Sequence, residues 1–242
     1  MNLLISAFAF LFDPKNYGGD DGIDTRTIEH ILISLLVLVI AAAIAIPIGF
    51  FIGHTGRGRS IIALSAGVRA LPTLGVIILI ALTVGIGLEA PVIALVILAI
   101  PSILAGAYAG FDAVDRQTID AARAIGMTEW QIVRNVEIPL GLPLLMGGLR
   151  SASLQVIATA TLADYVGAGG LGHFLFLGQQ NGDYTLMLAG SIAVVVLALI
   201  SEVLFSVLER VVVPIGVRIG KRNAVLEEDV HVRSRRPRVT TG

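Results

Sequence analysis

Apolar residues run almost unbroken through five stretches, 28–52, 64–87, 91–110, 141–163 and 186–210, and polar residues gather between them. Each stretch approaches or exceeds the length of about 20 residues with which an α-helix crosses a hydrocarbon core of roughly 30 Å. The pattern therefore predicts an all-α chain with about five spanning helices. The stretch 141–163 is the least uniform, since it holds Arg150 and several hydroxyls, but it is otherwise apolar. The opening MNLLISAFAFLF is too short to span and lacks the basic start and small-residue cleavage site of a signal peptide. It is expected to lie at the interface or to insert partly, within an extracytoplasmic or interfacial segment 1–27.

Composition sharpens this reading. The 242 residues are 55% hydrophobic and 14% charged with a mean hydropathy of +0.87, which excludes an ordinary soluble domain. There is no cysteine, so disulfides and thiolate metal sites are excluded. The net charge of −1 matters less than its placement. Arg57 and Arg59 follow the first span, Arg116, Arg123 and Arg134 lie in the 111–140 loop, and eight Arg or Lys residues follow position 209. Before span one stand only Lys15 and Arg26. The excess of basic residues on cytoplasmic loops then places the N-terminus outside, the C-terminus inside and the 111–140 loop in the cytoplasm. Residues 213–242, polar and mixed in charge, are expected to form a disordered cytoplasmic tail whose arginines could meet anionic membrane lipid.

Glycine and proline punctuate the spans. Pro47, Pro72 and Pro101 are expected to kink helices whose neighbours satisfy the freed backbone groups. The pairs Gly49/Gly53 and Gly106/Gly110 have the four-residue spacing that lets helix backbones approach closely.

The 111–140 loop is a polar, folded interruption. Ile119, Ala122 and Ile125 recur at near-helical spacing, and Gly126 stands where a left-handed residue would end that helix. Thr128 and Gln131 fit a capping box, with Met127 and Ile132 as its apolar staple. A second helix would present Trp130, Val133 and Val136 near one face, and Pro139 is expected to stop it. A DNA-reading helix-turn-helix has similar spacing, but between 112 and 137 five acids outnumber three arginines, so the counterion-displacing face is missing. No nucleic-acid partner is expected.

With its residues laid out, the loop resembles the "EAA" loop of ABC-importer permeases. That pattern runs Glu-Ala-Ala, three residues, Gly, nine residues, Ile-x-Leu-Pro. The chain reads Asp120, Ala121, Ala122, then Gly126, then Val136, Ile138 and Pro139, with every interval kept and three conservative departures. The resemblance implies a type I importer permease fold, with Asp120 to Ala122, Gly126, Trp130, Val136, Ile138 and Pro139 in a knob gripped by cytoplasmic ATPase subunits. It also implies a second permease subunit, identical or related, an extracytoplasmic solute-binding protein, and a home in a bacterial or archaeal cytoplasmic membrane. Span one, RALPTLGVIILIALTVGIG and ADYVGAGGLGHFLFLGQQNGDYTLMLAG are similar to the glycine betaine, choline and carnitine permeases across most of 28–212. Methionine-type permeases share the fold and remain the nearest alternative cargo class.

Other chemistry finds little support. Gly167, Gly169, Gly170 and Gly172 match a dinucleotide fingerprint, but a membrane span precedes them where a strand is required. They are read as a tight outer turn which, with Asp164 and Tyr165, could form an outer gate. Lys221 follows Gly220, but position 215 is Ile and 222 is Arg, so the phosphate-binding loop fails and ATP chemistry must belong to another chain. His30, His54, His173 and His231 show no metal-ligand spacing and no nearby acid cluster, and are set aside as ordinary surface or interface residues. Ser151, Gln155 and Thr159 make one polar face on span four, either bonding another helix or lining a translocation path. Arg69, Arg150 and Glu202 fall near the cytoplasmic ends of spans, where an Arg150–Glu202 pair would suffice. A secondary transporter is the rival from another class, but five spans do not divide into equal halves and Glu202 is the one acid well inside a span.

Overall fold

The structure is a computed structural model that describes residues 2–214 and 216; most of the expected tail, with His231, lies outside the described residues. Among the described residues ten α-helices follow in order: α1 Leu3–Phe12, α2 Ile23–Thr55, α3 Arg59–Val68, α4 Thr73–Val84, α5 Glu89–Asp112, α6 Arg116–Ala124, α7 Glu129–Ile132, α8 Ile138–Thr159, α9 Gly172–Asn181 and α10 Tyr184–Val212. Among the described residues there is no strand.

The helices α2, α5 and α10, and the continuous run Glu129–Val166 that contains α8, are each long and apolar enough to cross a membrane. The second expected span is different. It forms as two helices, α3 and α4, bent by 92°. Leu71 and Pro72 explain the break: proline supplies no N–H and forces the residue before it out of the helical region, so α4 can start only after it. Pro47 and Pro101, by contrast, lie inside continuous helices. The first span starts at Ile23, ahead of the apolar run, because a polar turn containing Asp24 and the Arg26–Glu29 pair at 2.9 Å extends the helix beyond its apolar part.

At the centre stands α5, packed between α2 and α8. Val37, Ala41 and Ala45 of α2, Leu95, Ala99 and Ile103 of α5, and Ala152 and Val156 of α8 form one buried cluster. Small residues set its spacing. A Cβ on Gly49 would sit 2.5 Å from the Ala107 Cβ, and one on Gly106 would sit 2.7 Å from the Gly148 Cα. Likewise a Cβ on Gly110 would meet the Gly141 carbonyl oxygen at 2.7 Å. Both glycine pairs of the sequence thus lie in helix seams, and Gly141 and Gly148 of α8, which no pattern had singled out, are the facing half of one of them.

The last helix, α10, leaves a broad apolar face outward, including Leu199, Val203 and Leu204. Against its inner side pack α1 and α9, with Phe10 edge-on to Phe174 at 6.0 Å. Arg150 of α8 and Glu202 of α10 form the expected pair, one bond running from Arg150 Nε to Glu202 Oε2 at 2.7 Å.

Candidate functional site

The polar loop folds as a helix, a glycine turn and a second, capped helix. Asp115 caps α6 by accepting from the Gln117 N–H at 3.0 Å, and Gly126 ends the helix with φ +88°. The turn closes with Met127 N–H to Ala122 O at 3.1 Å, a left-handed stop that an L side chain resists. Thr128 and Gln131 exchange both bonds of the capping box. Val114, Ile119, Ala122 and Ile132 close over a small core of the loop's own, with Met127 and Val136 against it. The knob is therefore rigid on internal grounds.

Three details depart from the sequence reading. Ile125 is not on the packed face; it is 80% exposed, since the α6 stripe ends at Ala122. Trp130 does not share a face with the half-buried Val133 and Val136, and stands 70% exposed. Pro139 does not stop the second helix. The residues Val133–Glu137 form a π turn in which the Ile138 N–H reaches Val133 O. That wider turn makes room for the proline ring where a regular helix would clash with the carbonyl four residues back, so the path runs unbroken into α8.

Asp120 pairs within its own helix, with Arg123 Nη1 at 3.1 Å, and caps nothing. Arg123 also forks onto Glu129, Nε to Oε1 at 2.8 Å and Nη2 to Oε2 at 3.0 Å. The Arg123 guanidinium holds the Glu129 carboxyl below the usual carboxylate range, and Glu129 pushes the guanidinium up in return. Ala121 is exposed beside them, whereas Ile138 and Pro139 are half-buried at the root of α8.

Three of the histidines set aside from the sequence hold junctions between distant segments. His54, in the last turn of α2, bonds through Nδ1 to Glu137 Oε2 at 2.7 Å, and its Nε2 lies 3.7 Å from Glu129 Oε2. His173 lies between Asp21 at 3.5 Å and Asp164 at 3.7 Å. His30 is fully buried, its Nε2 2.9 Å from Ile157 O while its Nδ1 accepts from the Leu171 N–H at 3.3 Å. Sequence spacing carried no signal for these contacts, because the partners come from separate helices. Among the described residues no group of three or more His, Asp or Glu side chains is placed to hold a metal ion.

At the end of the bundle opposite the loop, Gly167, Gly169 and Gly170 turn through positive φ, and Gly172 opens α9 against the Thr161 backbone. The Gly170 N–H donates to Glu29 Oε2 at 2.9 Å, so this turn is fastened to the start of α2. Asp164 is mostly buried, and Tyr165 is exposed with its ring edge-on to Phe176 at 5.6 Å. On α8, Gln155 bridges to α5, accepting from Ser102 Oγ at 3.0 Å and donating to Leu98 O at 3.1 Å. Thr159 bonds back to the Gln155 carbonyl at 2.8 Å, and Ser151 is exposed. The hydroxyls of Ser153 and Ser201, which the sequence reading passed over, meet at 2.7 Å between α8 and α10.

Comparison with known proteins places this geometry. Residues 45–214 match the family described as "Binding-protein-dependent transport system inner membrane component". The chain is 32% identical over 194 residues to the glycine betaine/carnitine/choline transport system permease protein OpuCB of Bacillus subtilis, covering 80% of this chain and 89% of that one. It is 36% identical to the carnitine transport permease protein OpuCB of Listeria monocytogenes, with the same coverage, and 30% identical to the osmoprotectant import permease protein OsmW of Salmonella typhimurium, covering 79% and 92%. Among solved structures, the MetNI methionine ABC transporter in an inward-facing form is similar with a TM-score of 0.69 at 24% identity, over 79% of this chain and 96% of that one.

Proposed function

The chain belongs to the binding-protein-dependent transport system inner membrane components, multi-pass permeases whose ATP hydrolysis resides in a separate subunit, and from that premise we propose its cargo and its coupling site. The cargo is a compact osmoprotectant of the glycine betaine, carnitine and choline class. Relatives named for those solutes, at 30–36% identity over most of the chain, support this over methionine, since the likeness to the methionine transporter is one of fold.

The family implies ATPase, permease and solute-binding partners. Within that assembly the loop of α6, Gly126 and α7 docks on the ATPase from the cytoplasmic side. The observation that carries this reading is the pair Ile125 and Trp130, large apolar groups left bare on a loop whose own core is already closed. Exposed anchors on a rigid, pre-formed knob give up little entropy on docking. The π turn and α8 then pass any displacement of the knob into the bundle, and ATP-driven closure shifts the paired permeases between access states by differential binding. The glycine turn with Asp164 and Tyr165 serves the outer gate, and Ser151 faces the path.

Proteoliposomes holding the permease, its ATPase and its solute-binding protein test the reading. ATP-dependent uptake of glycine betaine, choline or carnitine is expected, with methionine excluded. Uptake that persists without the ATPase, or that prefers methionine, would overturn it.

A further inference from the structure

We infer that His54 is a positioning residue for coupling: it ties the end of the first span to both ends of the α7–π-turn segment, so that the ATPase-driven motion of the knob reaches α2 as well as α8. The inference rests on the proposed role of the loop. Glu137, the last residue of the π turn, is 1% exposed, and a buried carboxylate demands a polar partner. Among the described residues His54 is that partner, with Nδ1 2.7 Å from Oε2, while Oε1 is buried with none. The imidazole also faces Glu129, at 3.7 Å, on the first turn of α7.

The contacts therefore form a chain from the knob inward. Asp120 bonds Arg123, Arg123 forks Glu129, Glu129 faces His54, and His54 bonds Glu137. His54 stands one residue past Gly53, whose seam on Phe111 presses the end of α2 against α5. A displacement of the knob must then either break the His54–Glu137 bond or carry the end of α2 with it. Without the bond, the motion would enter α5 and α8 through their backbone connections to the knob, and α2 would feel it only through its packing on α5. Hydrogen bonding to a buried charge in a low-dielectric setting is strong enough to serve as such a link.

The test uses the complete transporter in proteoliposomes and reads solute moved per ATP hydrolysed, alongside ATPase rate and the amount of assembled complex. His54→Ala is expected to assemble and hydrolyse ATP while moving about tenfold less solute per ATP, the scale on which residues along a coupling path act. His54→Asn, which can place a donor near the Nδ1 position, is expected to restore most of that ratio. His54→Ala combined with Glu137→Leu removes the buried charge as well, so it guards against simple misfolding, and it is expected to assemble yet stay uncoupled. A wild-type ratio in either alanine-bearing variant, or failure of the asparagine variant to recover any of it, would overturn the inference. Loss of ATP-driven uptake in the unaltered transporter would instead overturn the functional reading beneath it.

Discussion

Gly106 and Gly148 face one another across α5 and α8 so closely that a Cβ on either would come within 2.8 Å of the other's Cα. Backbone atoms, unlike flexible side-chain ends, cannot step aside, so this contact fixes the separation of the two central helices.

Gly148→Ala is accordingly expected to force the seam apart and destabilise the bundle by roughly 1–3 kcal/mol. Gly147→Ala is its control, because nothing lies within 4 Å of a Cβ there. It should be neutral, or stabilising by up to about 1 kcal/mol through helix propensity. Thermal unfolding of the two detergent-solubilised variants checks the contrast.

The knob gives a conformational prediction. A Cβ on Gly126 meets no atom within 4 Å, so its cost is confined to the left-handed backbone. Gly126→Ala should weaken the loop by about 1–2 kcal/mol, and Gly126→Asn should cost less because asparagine tolerates that region. Hydrogen exchange over 116–132 would rank the three.

The Arg150–Glu202 pair is expected to be structural. Glu202→Gln keeps a hydrogen-bonding end but removes the charge opposite Arg150, so less folded protein should accumulate while uptake per assembled complex stays unchanged. Reduced uptake per complex with normal yield would instead make the pair part of the gate.

The pH dependence of the knob follows from Glu129. Its carboxyl lies below the usual value of 4.5 because Arg123 donates to its charged form. A depressed carboxylate contributes stability that is fully present above that value and is lost as pH falls through the lowered one. The share of the loop's exchange protection that comes from the Arg123–Glu129 pair should thus be constant through neutral pH and be lost only in acid.

How far the sequence reached depended on the range of the forces involved. The capping box at Thr128 and the left-handed Gly126 were legible because each is set by neighbours a few residues away, and the two glycine pairs because their spacing is local even though the helices they face are not. Pro139 was misplaced for the opposite reason: a π turn re-aims the helix by one residue, and nothing in the local pattern announces it. The break at Pro72 was legible as a kink but not as a right-angled turn, because hydropathy continues through it. His54 and Glu137 were invisible, since their bond joins residues 83 apart. Hydropathy finds spans; it does not find which polar groups the spans bring together.

The central claim is that the exposed tip of the α6–α7 knob is the point at which an ATPase grips this permease. The chain has no cysteine, so Trp130→Cys provides a unique thiol without further engineering. A short thiol-specific crosslinker applied to the reconstituted transporter is predicted to join position 130 to the ATPase subunit, with a yield that changes between nucleotide-free and ATP-bound states. An intact complex in which that thiol never captures the ATPase, or can be labelled only from the extracytoplasmic side, would contradict the account.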